Sequence, residues 1–236
     1  MMEIDRTQKW INHSWECMQN LNYNDWMERE LKRFSSKKTI LLHSCCGPCS
    51  TAVIDVLKDY FYITILYYNP NIEPVEEYIK RKEEQKRYIK ESKLDIAFLD
   101  IDYENEAFKK IAKNLEHEPE GGARCHKCYY LRLFKTATMA MEKHFDYFGT
   151  TLTVSPYKNA KVINTIGLEL EKSINEGKKE EDKVLFLVSD FKKKEGYKKS
   201  IELAKKYHLY RQEYCGCLYG VVNSKRGLEN EQVRNV

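Results

Sequence analysis

Thr39–Ser50 reads TILLHSCCGPCS, and this stretch decides how the rest of the chain is parsed. Thr39–His43 is a short apolar run closed by a cysteine loop, the pattern of a buried strand. Pro48 falls where a helix can begin, at a first-turn position that needs no N–H. Strand, tight loop and helix start are the opening of an α/β unit.

The same alternation continues on the C-terminal side. Helix is expected from Pro48 to about Tyr60, then strand over Tyr62–Tyr68, closed by Asn69-Pro70-Asn71. Charged helix follows over 74–92, strand over Ile96–Ile101 and helix over 104–116. His117–Arg124 reads as a loop, and 125–144 as a helix starting at a second cysteine pair. A fourth strand is expected over Asp146–Leu152, helix over 158–175, a fifth strand over Val184–Ser189 and a lysine-rich helix over about 195–207. The strands are continuous apolar runs, as in parallel sheets buried on both faces. The expected fold is therefore α/β: a Rossmann-like parallel sheet of about five strands with helices on both faces. In such sheets the site lies beyond the C-terminal ends of the strands, where the cysteine loop falls. Trp10, Ile11, Trp15, Met18, Trp26, Met27, Leu31 and Phe34 mark one or two amphipathic helices before the sheet. The division expected is an N-terminal helical extension over 1–36 and an α/β metalloenzyme domain over 37–236.

The 236 residues carry 40 Lys or Arg against 36 Asp or Glu, a net charge of +4, with no apolar run long enough to span a membrane. The polar, charged start MMEIDRTQKWINHSWE does not read as a secretory signal, so a cytoplasmic protein without membrane attachment is expected. Of eight cysteines, seven fall in three clumps: Cys45, Cys46 and Cys49; Cys125 and Cys128; Cys215 and Cys217. Clumped cysteines in a large chain of this kind point to metal ligands or redox thiols rather than to a disulfide scaffold.

Each clump has its own chemistry. Cys45 and Cys46 cannot easily bond to each other, but neighbouring thiolates can bind neighbouring metal atoms. The helix start that follows them favours negative charge. Cys125-His126-Lys127-Cys128 puts two sulfurs on one helix face, a spacing used for zinc, iron–sulfur clusters and dithiols alike. His126 reads as a solvated neighbour. Cys215-Gly216-Cys217 can chelate a metal or form a strained, reducible disulfide. Two cysteines from each of the first two clumps would suffice for a [4Fe–4S] cluster. Cys49, Cys215 and Cys217 then remain, for a second metal or for a dithiol with Cys49 nearby. Cys17 stands apart and reads as a packed thiol.

Six ordered strings carry a resemblance: LLHSCCGPCS (41–50), YYNPNIEPVEEYIKR (67–81), GGARCHKCYYLRL (121–133), TTLTVSPYKN (150–159), SDFKKKEGY (189–197) and LYRQEYCGC (209–217). Over about residues 39–220 the chain resembles the QueH-type epoxyqueuosine reductases of queuosine biosynthesis. The resemblance implies an oxidoreductase that converts epoxyqueuosine to queuosine at the wobble position of tRNA. An epoxide becomes an alkene, two electrons and two protons are consumed, and water is released. It implies a [4Fe–4S] cluster with an adjacent mononuclear metal, iron or zinc, and an adenine-nucleotide-hydrolase-like sheet. HSCCGPCS stands where related nucleotide-binding sheets carry Ser-Gly-Gly-x-Asp-Ser, so use of ATP is not expected.

Carried over motif by motif, Cys45, Cys46, Cys125 and Cys128 would ligate the cluster. Cys215 and Cys217 would form a redox-active pair or ligate the second metal, which Cys49 could complete. Asp190, placed after a buried strand, joins Cys215 and Cys217 as a catalytic expectation. Asn69, Asn71, Thr151, Thr153, Ser155, Tyr157, Lys158 and Lys192 follow other strands and are expected to shape the pocket, with Tyr210 and Arg211 contacting base or sugar. Phe191–Arg226 holds ten Lys or Arg against three Glu, a basic stretch suited to tRNA phosphates. The partners implied are the tRNA anticodon loop and an electron donor. The competing readings are a zinc-stabilised RNA-binding module and a metal-free thiol–disulfide oxidoreductase.

Overall fold

The computed structural model describes residues 22–212 and 214–220. Cys17 and most of the N-terminal amphipathic stretch lie outside the described residues. The elements are α1 (Tyr23–Leu31), β1 (Lys38–His43), α2 (Gly47–Leu57), β2 (Phe61–Leu66), α3 (Val75–Ser92), β3 (Ile96–Leu99), α4 (Asn105–Ala112), α5 (Ala123–Glu142), β4 (Tyr147–Thr150), α6 (Ala160–Ile174), β5 (Leu185–Phe186) and α7 (Gly196–Lys206). No described helix is long and apolar enough to cross a membrane.

All five strands are parallel and lie in the order β3-β2-β1-β4-β5. This is the Rossmann-like arrangement expected from the alternation of apolar runs. Successive residues of β1 serve opposite faces, as strand geometry requires. Ile40 and Leu42 pack with α2 and with Tyr88 of α3. Leu41 packs with Leu133 and Ala137 of α5 and Ile163 of α6. Met27 and Leu31 of α1 are buried in the same core as Ile40 and Phe61, and Tyr147 donates to Glu30 at 2.7 Å. The described part of the N-terminal stretch therefore shares the core of the sheet domain.

The strands are shorter than the apolar runs that announce them. β4 ends at Thr150, and Thr151–Val154 coils into a 3-10 turn. Thr150 drives that change, its hydroxyl accepting from Leu152 N–H at 3.1 Å. β5 keeps only Leu185–Phe186, although Val184–Ser189 is buried apart from the half-buried Leu185. Burial, and not ladder pairing, explains the apolar character of the remainder.

The chain reverses its progress across the sheet between β1 and β4, whose ends are in register at His43 and Thr150. Beyond the carboxyl ends of two such strands lies the crevice where open α/β sheets bind ligands. The β1–α2 loop and the segment after β4 form its two walls.

Candidate metal–thiolate centre

The β1–α2 loop is built around cysteine sulfur. Cys46 is the N-cap of α2, and its Sγ accepts from Cys49 N–H at 3.3 Å, where a Ser or Asp oxygen usually serves. This folds the loop so that the sulfurs of Cys45, Cys46 and Cys49 all lie within 4.8 Å of one another. Ser44 N–H donates to Leu66 O at 3.0 Å and fastens the loop to the next strand. Cys45 Sγ lies 3.9 Å from Thr151 Oγ1, so the loop touches the opposite wall of the crevice.

The second pair enters from α5. Cys128 is buried, and Cys125 accepts from Gly121 N–H at 3.2 Å. Cys217 packs with the small group that contains Cys128, Phe108 and Ala112. Cys215 instead lines the cavity that Cys45 and Cys49 line. All seven described cysteines are free thiols.

The cavity, of about 250 Å³, is strongly cationic. Arg81, Arg132, Lys158 and Arg211 line it against a single carboxylate, Glu120. Hydrogen bonds from the Cys46 and Cys49 thiols, aided by Lys158 and Arg132, hold the Cys45 thiol well below its usual value. Burial pushes Cys46 and Cys128 each up to about 12, and also raises Cys125 and Cys217. Cys49 is raised because its proton is held in hydrogen bonds to Cys45 and Cys46. Burial works against the charge on Lys158, but the facing Cys215, Cys45 and Cys49 outweigh it and hold the ammonium protonated.

Three arginines are almost completely buried here: Arg81, Arg124 and Arg132. Arg81 has a carboxylate partner, Glu77, at 2.7 Å. Arg132 has none among the described residues. It donates to His43 Nε2 at 3.2 Å, to Asn69 Oδ1 at 2.7 Å and to Cys128 Sγ at 3.8 Å. Nε2 of His43 thus faces both this guanidinium and, at 3.1 Å, the Tyr68 carbonyl, while Nδ1 lies 2.9 Å from Thr150 Oγ1. Arg124 donates to the carbonyls of Leu115, Glu116 and Glu118 and lies over the Tyr219 ring. Buried cations without counter-charge are costly. Anionic sulfur is the charge that this surrounding can supply.

The last thiols arrive on an irregular strap, described over 208–212 and 214–217 and held along one face of α3. Arg87 donates to the carbonyls of Tyr207 and His208, and Glu84 accepts from Tyr210 N–H at 2.6 Å. Arg81 donates to the carbonyls of Tyr214 and Cys215 at 3.2 and 3.3 Å. Gln212 Nε2 donates to Cys46 Sγ at 3.1 Å. Gly216 adopts φ 110°, and a Cβ there would meet Ile72 at 2.7 Å and Arg81 Nη1 at 3.2 Å, so the turn between the two cysteines requires glycine.

Several expected pocket residues have other duties. Asp190 does not line the cavity. It forms an ion pair with Lys192 at 2.7 Å, and its carbonyl closes the turn to Lys193. Thr153 bonds Ser189 at 3.0 Å, and Asn69 is bound between Ser44 O and Arg132. Tyr210 is engaged by Glu77 through its hydroxyl and by Lys80 over its ring. Ser155, Tyr157, Lys158 and Arg211 do line the cavity, and His126 is exposed. Arg81, Arg132 and Gln212 were not singled out by the sequence reading. Arg132 lies four residues after Cys128, on the same helix face, and that spacing was the available signal.

Fold and site together define a class: an α/β protein whose switch-point crevice is built from thiols and cations. The family within that class follows from comparison. Residues 40–223 match the family model described as "Epoxyqueuosine reductase QueH". The epoxyqueuosine reductase QueH of Staphylococcus epidermidis is 38% identical over 224 residues, covering 91% of this chain and 90% of that protein. That of Thermotoga maritima is 32% identical over 193 residues, covering 79% and 92%. The chain belongs to the QueH family of epoxyqueuosine reductases. Among solved structures, the U34-tRNA thiolase NcsA from Methanococcus maripaludis with its [4Fe-4S] cluster is a distant likeness. It matches at TM-score 0.47 and 13% identity, over 88% of this chain and 70% of that one.

Proposed function

We propose that the protein reduces epoxyqueuosine to queuosine at the wobble position of tRNA, in the cytoplasm, with electrons from a separate low-potential donor. Cys45, Cys46, Cys125 and Cys128 would hold a [4Fe–4S] cluster, and Cys49, Cys215 and Cys217 a second metal, iron or zinc. The observation that supports this most directly is Arg132, buried with no carboxylate partner among the described residues and set against Cys128 Sγ. A cluster held by four thiolates is anionic, and it would supply the charge that this guanidinium lacks. The convergence of Cys45, Cys46 and Cys49 within 4.8 Å fits thiolates shared between two adjoining metal groups.

When bound, the cluster supplies single electrons and the second metal a Lewis acid for the epoxide oxygen. The chain's own groups do the rest. Lys158 Nζ faces the thiols as a charged donor, placed to hydrogen-bond an oxygen that gains negative charge as its bond to carbon breaks. Arg132 and Arg81 hold His43, Asn69 and the Cys215 backbone in place around the crevice. Two protons must reach the product water, so the cationic cavity must stay open to solvent on one side.

The test is anaerobic incubation of the metal-loaded protein with epoxyqueuosine-containing tRNA and a low-potential reductant, read by nucleoside mass spectrometry. Queuosine is expected. No queuosine from a fully loaded protein would overturn the reading. A colourless protein that binds only zinc would favour the RNA-binding alternative.

A further inference from the structure

Eight large apolar or aromatic side chains stand exposed among the described residues, and the most exposed is Tyr157, at 73%. It is also the one of the eight that lines the thiol cavity. Its ring makes no hydrogen bond or ring contact with another described residue. A single exposed aromatic is ordinary at a protein surface; what sets this one apart is its place on the wall of a basic, concave site.

The backbone presents this ring rigidly. Lys158 N–H donates to Ser155 O at 3.3 Å, closing a turn with Pro156 second and Tyr157 third. The turn is anchored before by the 3-10 segment Thr151–Val154. After it, Asn159 caps α6 by accepting from Lys161 and Val162 N–H at 2.9 and 3.3 Å. Little backbone freedom remains to be lost when a ligand settles on the ring.

Size supplies the second argument. The cavity of about 250 Å³ is smaller than the roughly 300–1,000 Å³ of sites that enclose a drug-sized ligand. A whole nucleoside would not be enclosed. If the reacting ring enters toward Lys158 and the thiols, the attached base is left at the mouth, beside Tyr157 and the exposed Arg211. Loop bases of RNA are commonly held by stacking on such aromatic faces. The other tyrosines nearby are less free. Tyr210 is engaged by Glu77 and Lys80, Tyr214 lies over Arg81, and Tyr197 is half-buried.

We infer that Tyr157 is the stacking platform for the nucleobase whose substituent is reduced, and so a substrate-positioning residue of this site. The inference rests on the reductase reading above, and the experiment separates the two. An anticodon stem–loop RNA carrying epoxyqueuosine is used with metal-loaded wild type, Tyr157→Ala, Tyr157→Phe, Tyr157→Trp and Tyr197→Ala. Loss of one stacked base should raise KM and the Kd for the RNA roughly ten- to hundredfold in Tyr157→Ala, with kcat within about twofold. Phe and Trp should restore both constants to within about threefold. The slope of log Kd against log salt should not change, because stacking neutralises no phosphate. The inference is overturned if Tyr157→Ala leaves KM and Kd within about twofold of wild type, if its salt slope falls, or if Tyr197→Ala shows the loss instead. Failure of wild type to make queuosine would sink the reductase reading alone, since the Kd arm still measures stacking.

Discussion

Two regions supply the thiols, and they are held by different forces. Cys45, Cys46 and Cys49 sit on the β1–α2 connection, between a strand whose Ile40, Leu41 and Leu42 are fully buried and a helix that buries Val53, Ile54 and Leu57. Cys125 and Cys128 open a helix whose Leu133, Ala137 and Ala140 are equally buried. These five thiols are placed by the hydrophobic core itself, the dominant stabilising term. Cys215 and Cys217 ride on the strap, where Leu209 is the buried apolar anchor and the remaining fasteners are hydrogen bonds: from α3 side chains, from Gln212 to Cys46, from Glu73 N–H to the Gly216 carbonyl at 2.9 Å and from the Tyr214 hydroxyl to the Glu73 carbonyl at 2.6 Å. Each such bond contributes about 1 kcal/mol, or about 1.5–3 where a charge is involved. The first region is therefore as rigid as the fold, whereas the second can be adjusted without unfolding anything.

The largest effects should come from the thiols, and they would divide along the same line. Cys46→Ser removes a ligand from the core-built group. It should abolish the visible iron–sulfur absorption and all activity. Cys215→Ser should keep that absorption and lose only the second metal, with activity also at background. Metal analysis together with absorption spectra of both variants checks this. If Cys215→Ser also bleaches the protein, the two regions form one indivisible centre.

Next comes the buried cation of the core-built region. Arg132→Met strips His43 Nε2, Asn69 Oδ1 and Cys128 Sγ of their donor. Outer-shell losses of this kind weaken metal binding by about 10- to 100-fold, measured by competition with a chelator. The substitution should destabilise the loaded protein more than the metal-free one. The loaded protein would set four thiolates near the guanidinium, whereas in the metal-free form Cys45 is the thiol held low, and thermal melts of both forms read the difference.

How much of this was legible beforehand follows the same division. The apolar runs at Thr39–His43 and Tyr62–Tyr68 announced parallel strands because burial on both faces leaves a signal in every residue. The Cys45–Cys49 loop was legible because the chemistry and the helix start are adjacent in sequence. Asp190 stands where a position after a buried strand is equally suited to a site or to the ion pair it makes with Lys192, and sequence spacing does not distinguish the two. Arg81 was invisible. Its partners Tyr214 and Cys215 lie more than 130 residues away, and a helical arginine four residues after Glu77 reads as an ordinary surface pair.

A smaller effect separates global from local stability. Burial, and then Arg132, push His43 down to about 3 from an ordinary value of 6.5. Between those values the unfolded chain binds a proton that the folded one does not. The stability contributed is therefore fully present above about pH 6.5 and declines as pH falls, by at most about 1.4 kcal/mol per pH unit. Urea midpoints between about pH 6.5 and 5, above most carboxylate titrations, should fall in wild type and fall less in His43→Gln. Parallel slopes would mean that His43 is not carrying the dependence, and that the core-built region is less tightly closed than its burial implies.

The smallest effect on global stability belongs to the strap, and it is the sharpest test of the contrast. Arg81→Ala deletes two charged hydrogen bonds to the Tyr214 and Cys215 carbonyls and the packing against Gly216. If the strap is held locally, the global unfolding midpoint should move little, while opening of the strap becomes easier by about 1.5–3 kcal/mol for the two bonds together, both being long at 3.2 and 3.3 Å. The rate at which iodoacetamide alkylates Cys215 in metal-free protein should then rise roughly ten- to hundredfold, with Cys46 unchanged as an internal reference. Arg81→Lys keeps the charge beside Glu77 but not the forked geometry, so it should fall between wild type and Ala. Glu77→Gln should act in the same direction more weakly, by loosening Arg81 and Tyr210 together. Equal acceleration at Cys46 and Cys215 would mean that the strap and the β1–α2 loop open as one unit, and that Arg81 belongs to the core-built region.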